Sequence, residues 1–233
     1  MPIGYYTDNS VSHTVMKVFS RIGLKVKHIR EFTPDQPAVF YGILRGSGSA
    51  IRLMQHYKKD FWYVDNGYVD AVYMNQQKRK EMSGKYRIVK NGLIDTFNFK
   101  PTHTTPKHLR IMLMPPSTYT AFMHDTTPED WTIEWTRKCD RAGHAASIRE
   151  KGDHAPLATA LKSYDAVLAF NSMGVIEAMK EGKAVFTTHG IIRNSDLLGQ
   201  YSPYYNYKDV SNYFSEKQFT LEEIQQRGIS CLT

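Results

Sequence analysis

The 233-residue chain carries only two cysteines, Cys139 and Cys231, far apart and in no metal-ligand spacing, which argues against a disulfide framework. No window approaches the roughly 18 consecutive apolar residues of a membrane span. The opening residues MPIGYYTDNS lack the basic-then-apolar order of a secretory leader, so a cytoplasmic location is expected. Nine histidines are present, but His103 with His108 and His144 with His154 show no recognised ligand spacing and no cysteine partners, so no metal is expected. GILRGSGSA lacks the Lys-Ser/Thr that must follow the second glycine of a Walker loop, which argues against that ATPase class. NSMGV lacks the leading glycine of a nucleophile elbow, which leaves Ser-His-Asp hydrolysis unsupported.

Acidic residues are the minority: 30 Lys and Arg stand against 23 Asp and Glu, a formal charge of +7. The basic residues gather at 21–30, 78–90 and 100–110. Such clusters read either as solvated surface or as a surface that attracts polyphosphate. Fifteen Tyr and eleven Phe interleaved with them suit stacking on bases or sugars. A hydrophobic content of 41% with 23% charged residues is that of a soluble globular protein, long enough for one ordinary domain or two small ones.

Apolar runs and their punctuation predict alternating strands and helices. Strands are expected at 2–6, 24–29, 38–43 and 61–64, with helices at 9–22 and 50–57, a β-α-β-β-α-β series. Asn9 or Ser10 is the expected cap of the first helix and Gly23 its stop. A second series follows, with strands at 109–113, 145–149, 166–170 and 184–186 and helices at 126–139, 156–162 and 175–180. Thr127 caps the first of these helices and Pro128 opens it. The expected organisation is an N-terminal α/β half (1–100), a linker (101–107), a second α/β half (108–220) and a C-terminal helix and tail (221–233). Two small Rossmann-like halves facing a central cleft are the expected architecture.

Within the second half, DAVLAFNSMGVIEAMKEGKAVFTT (165–188) reads as strand, turn, helix, turn, strand. At the carboxyl edge of a parallel sheet, such a strand-to-helix turn offers backbone N–H groups and a helix dipole to an anion. Asn171, Ser172 and Gly174 form the turn, and Glu177 lies one turn into the helix, placed to accept hydrogen bonds from ligand hydroxyls. Two other strand ends carry polar groups: Ser117 after Pro116, and Arg149 with Lys151. Ser117 alone reads more simply as a helix cap, and Lys151 equally as surface. Together they describe a diphosphate site.

In the first half, Arg45 and Ser47 belong to a glycine-rich turn that reads as a flexible connection or as a close backbone approach to a ligand. Asp65 ends an apolar strand before Asn66, Gly67 and Tyr68. It is a candidate general base, with an Asx-turn as the competing reading. Arg87 and Lys90 either lie beside it or occupy an exposed strand.

MLMPPS, IREK and LKSYDAVLAFNSMGVIEAMKEGKAVF, in that order, resemble the nucleotide-sugar-binding domain of GT-B glycosyltransferases, especially those similar to capsular polysaccharide synthesis proteins. The last segment matches a pattern that fixes Ser, Gly, Glu-Ala and Gly-Lys together. The resemblance implies that Ser172 and nearby backbone bind the donor diphosphate, Glu177 the ribose or sugar hydroxyls, and Arg149 and Lys151 the phosphates. FWYVDNGYVDAVY followed by KYRIVKNGLI resembles phage-encoded GT-B proteins that act on modified DNA bases. By that resemblance Asp65 deprotonates the acceptor hydroxyl, and Arg45, Ser47, Asn66, Tyr68, Arg87 and Lys90 line the acceptor side. The expectation is an inverting, metal-independent transfer from a UDP-sugar to a hydroxylated or hydroxymethylated pyrimidine of double-stranded DNA, in the host cytoplasm. A glycan or lipid-linked acceptor is the alternative within the enzymes. A non-catalytic nucleotide- or nucleic-acid-binding protein is the alternative outside them.

Overall fold

The computed structural model describes residues 1–68, 84–105, 107–150, 152 and 155–232. The chain divides into two compact units, Met1–Leu93 with Tyr213–Thr233, and Ile94–Asn212. Each is built on a largely parallel sheet.

The first unit starts with β1 (Ile3–Tyr6), α1 (Ser10–Arg21), β2 (Lys25–His28) and, after a 3-10 turn, β3 (Ala38–Tyr41). Asn9 caps α1 by accepting the Val11 N–H, and Gly23 follows the helix at φ 97°, a left-handed conformation natural to glycine. α2 (Ser47–His56) leads to β4 (Phe61–Asn66), and β5 (Tyr86–Lys90) runs back antiparallel to it. β4 extends two residues beyond the expected end, so Asp65 lies within a strand and not in an Asx-turn.

The second unit adds β6 (Thr102–Thr104), β7 (Arg110–Met114), α3 (Thr118–Phe122), α4 (Pro128–Arg141), β8 (Ala145–Ile148), α5 (Leu157–Leu161), β9 (Ala166–Ala169), α6 (Gly174–Lys180), β10 (Ala184–Thr187) and β11 (Ser202–Tyr204). Thr102–Thr104, inside the segment read as a linker, pairs antiparallel with β11. The chain returns to the first unit within α7 (Tyr207–Glu216). It ends with β12 (Gln218–Phe219), which pairs with β5, and α8 (Leu221–Arg227), which packs on α1.

The strand orders are β12-β5-β4-β3-β1-β2 and β10-β9-β7-β8. In both, the chain steps outward from its first parallel strand to its second, then recrosses to lay the third on the other side. This reversal leaves a switch point between β1 and β3 and another between β7 and β9. In open parallel sheets such points mark where ligands bind, at the carboxyl ends of the strands.

Sequence explains which strands are covered. Every residue of the inner strand β9 (AVLA) is buried, as a parallel strand covered on both faces requires, and so is every residue of the edge strand β10 (AVFT). The edge strands β2 (KVKH) and β8 (AASI) are polar or small, β2 half-buried and β8 largely exposed. α4 places Trp131, Trp135 and Cys139 on one face at intervals of four, against Ile111, Leu168 and Phe186. Burial pushes the Cys139 thiol up to about 11, so it serves as a small apolar side chain. In the first unit Val15, Met16 and Phe19 of α1 meet Val39, Val64 and, from the chain's last residues, Ile224 and Leu232.

Phe186 is fully buried in the second core. Phe186→Ala is expected to cost about 3–5 kcal/mol in urea unfolding, the range for emptying an aromatic site that cannot collapse.

Candidate functional site

Polar groups follow all four parallel strands of the second unit. After β7, Ser117 accepts the Thr120 N–H at 3.3 Å and caps α3. The simpler reading of that serine, as a helix cap, describes its local bonding. After β8, Arg149 donates its backbone N–H to Leu113 at 2.9 Å, and its guanidinium donates to the Ala155 carbonyl at 2.5 Å. That second bond holds the side chain near the β8 end. Lys151 lies outside the described residues.

After β9, the turn Asn171-Ser172-Met173 leads into α6. The first three amides of α6 are engaged locally: Gly174 N–H donates to Ser172 Oγ at 3.1 Å, Val175 N–H to Ser172 O at 3.3 Å, and Ile176 N–H to Met173 O at 3.0 Å. Of the N–H groups that the sequence suggested would be free here, the local turn takes up these three. Gly174 is closely packed. A Cβ there would sit 2.8 Å from Met114 Sδ and 3.0 Å from Leu157 Cδ2. Glu177, half-buried in the first turn of α6, makes no hydrogen bond or ion pair among the described residues. Its carboxylate therefore remains available to an incoming hydroxyl.

After β10 comes a group that the sequence reading missed. Trp131 Nε1–H donates to Thr188 Oγ1 at 3.2 Å, and Thr188 Oγ1 lies 3.1 Å from His189 Nδ1. The His189 ring stacks on Phe170 at 4.3 Å between centroids and 16° between planes, and His124, from the loop after α3, packs 4.7 Å from it. Burial holds the His124 imidazole down at about 4, with His189 and Arg193 adding to the effect and Asp125 opposing it. Burial and then Arg193 lower His189 as well. His124 Nε2 is enclosed without a partner among the described residues. The loop is fixed by Asn194, whose side chain accepts the Thr187 N–H and donates to Val185 O and to the Tyr205 hydroxyl, all at 2.8–2.9 Å. The available signal was positional: THGIIR directly follows a buried strand, as the other three polar groups do.

In the first unit the structure joins Asp65 to Arg87 and separates both from Lys90. Asp65 Oδ2 accepts the Tyr63 hydroxyl at 2.6 Å and Arg87 Nη2 at 2.9 Å, while Oδ1 accepts the Asn66 N–H at 2.8 Å. Arg87 also donates to the Asn66 carbonyl and lies 4.4 Å over the Tyr68 ring, with its Nε enclosed and unpartnered among the described residues. Burial, then the Asp65 charge, pushes the Tyr63 hydroxyl well above its usual range, so it stays a donor. Lys90 pairs across the strands with Trp62 and reaches Asp60 at 3.7 Å, at the other end of β4.

Arg45 (φ 57°) donates to the Asp8 carbonyl, and Ser47, the first residue of α2, is buried with its Oγ unpartnered among the described residues. Asp8 itself, at the β1 end, was missed. It accepts from His28 Nε2 at 3.0 Å and Arg30 at 3.2 Å, and the His28 bond followed by the Arg30 charge lowers its carboxyl.

Two outcomes follow for the second unit. Gly174→Ala is expected to destabilise by about 1–3 kcal/mol, the cost of overpacking, as read from chemical denaturation. His124 in the unfolded chain takes a proton near pH 6.5, whereas in the fold it does so only at about 4. Its contribution is therefore fully present above pH 6.5 and lost as pH falls toward 4. His124→Gln should remove at most about 3 kcal/mol of that acid sensitivity, measurable as a flatter stability profile between pH 6.5 and 4.

No family model matches the chain, and no curated protein matches it. Among solved structures it is similar to KpsC of Thermosulfurimonas dismutans, described as a beta Kdo 2,4 transferase, at 9% identity and a TM-score of 0.50 over 98% of this chain and 98% of that one. The likeness is one of fold, and the chain has a GT-B-like fold of two Rossmann-like α/β halves.

Proposed function

We propose that the protein is a glycosyltransferase, taking a sugar from a nucleotide donor held at the carboxyl edge of the second sheet. The observation that carries this reading is that edge. It has polar groups after all four parallel strands, and among them the carboxylate of Glu177 makes no hydrogen bond or ion pair among the described residues. Glu177 accepts from ribose or sugar hydroxyls, Arg149 and Lys151 face the phosphates, and Asn171 and Ser172 shape the turn between them. A UDP-sugar is the proposed donor. Cationic side chains neutralise the departing diphosphate, so no metal is required for that step.

In the first unit, Asp65 is the proposed base. Three of its roughly four lone-pair positions are used, by Tyr63, Arg87 and the Asn66 N–H. The remaining position on Oδ1 is free to take the acceptor proton, and direct displacement then inverts the sugar. Arg87 pairs with the carboxylate and with the Asn66 carbonyl, Tyr68 lies against Arg87, and Arg45 and Ser47 complete the proposed acceptor side. Lys90 has no place in this set.

Two acceptors have support. The similarity to a protein described as a Kdo transferase favours a saccharide hydroxyl. The charge of +7 and the interleaved aromatic residues favour a modified pyrimidine in DNA. Radiolabelled sugar offered with both acceptors separates them: label in glycan alone removes the DNA reading, and label in hydroxymethylated DNA alone removes the glycan. Asp65→Asn is expected to lower turnover at least about 100-fold, as loss of a general base does, with donor affinity nearly unchanged. Unchanged turnover in a variant shown to be folded would exclude Asp65 as the base.

A further inference from the structure

The clearest group with no part in the scheme above is the one after β10, where hydrogen bonding leaves one nitrogen of His189 open. An indole N–H only donates, so Thr188 Oγ1 accepts from Trp131. The Thr188 hydroxyl either donates to His189 Nδ1 at 3.1 Å, or donates to the Phe170 carbonyl at 3.5 Å while accepting from Nδ1–H. In either tautomer Nδ1 is engaged within the fold. His189 Nε2 has no partner among the described residues and, unlike His124 Nε2, is not enclosed.

We propose that His189 and Arg193, backed by His124, form an anion site for a phosphate group, and that its occupation is coupled to proton uptake by the imidazole pair. The proposal rests on the donor reading only for the identity of the anion, a nucleotide diphosphate or monophosphate. The geometry is that of a built site. The Phe170 stack fixes the His189 ring plane, Thr188 engages its Nδ1, and Asn194 fixes the loop that carries both His189 and the exposed Arg193.

The charged and titratable groups that act on the pair are few. Asp125 faces His124 and Glu134 of α4 faces His189, while Arg193 acts on both and the rings act on each other. With both imidazoles neutral, the site presents one guanidinium, and protonation makes His189 Nε2 a donor beside it. An entering dianion reverses the balance, because it favours the charged imidazole that burial and Arg193 disfavour. Binding and protonation then strengthen one another by the same factor.

The test uses the full chain with labelled histidine, followed by NMR, and titrated with UDP, CMP and sulfate, the last keeping its charge between pH 5 and 8. Anion binding should shift the His189 and His124 resonances. It should also be about tenfold tighter at pH 5.5 than at pH 8, the size expected for one unit of pKa change. His189→Gln should lose this pH dependence, and Arg193→Gln should weaken binding at both pH values while the unfolding temperature holds. If sulfate shows these effects and neither nucleotide binds, the anion site stands and the nucleotide-donor reading falls. If a nucleotide binds with the same affinity and pH profile in both variants as in the parent, the anion site is refuted and the donor reading stands. Absence of binding by all three probes refutes the site.

Discussion

Both halves of this protein obey the same constraint: a parallel strand flanked by neighbours and covered on both faces has no room for ionisable chemistry along its length. β9 shows the limit, with every residue buried and apolar or small. Reactive groups are displaced to where the backbone leaves the sheet, so the carboxyl edges collect them. Repetition of the same winding in both units places a switch point at each edge. The position of the chemistry is thus a consequence of how the cores are closed.

Asp65 is the exception that shows what such a position requires. It lies inside β4, tolerated because the antiparallel β5 sets Arg87 directly opposite it and Tyr63 donates a hydroxyl from two residues away. Removing either partner would strand a poorly solvated charge, at a cost of several kcal/mol. The two edges also differ in how fully they satisfy themselves. At the first, Asp8, His28, Arg30, Arg45, Asp65 and Arg87 are engaged with one another or with nearby backbone. At the second, the Glu177 carboxylate and His189 Nε2 have no partner among the described residues.

Much of this was legible in the chain itself. Apolar runs such as AVLAF and AVFT announce buried parallel strands, and Asn9, Thr127 with Pro128, and Gly182 mark helix ends where they occur. The second-half turn was also found, because NSMGVIEA places a polar hinge between a strand and a helix. What could not be read was pairing. Nothing local in KYRIVKNG says that Arg87 will face Asp65, while Lys90, three residues on, will face Trp62. That distinction belongs to antiparallel register, set across 22 residues of sequence. The same holds for His124 and His189, 65 positions apart, which meet only because one loop follows α3 and the other follows β10. Nor was it legible that Ser172 takes up the first amide of α6 locally, as serine does in turns.

The last twenty-one residues belong to the first unit. They supply β12 to its sheet, α8 to the face of α1, and the Leu232 carbonyl that accepts the Trp62 indole N–H at 2.7 Å. The second unit is contiguous in sequence and the first is not. On a ribosome, therefore, the second half holds all of its residues while the first still lacks an edge strand and a covering helix. Chain order makes the later-encoded half the earlier to complete, and leaves the edge of β5 unpaired until synthesis reaches Phe219.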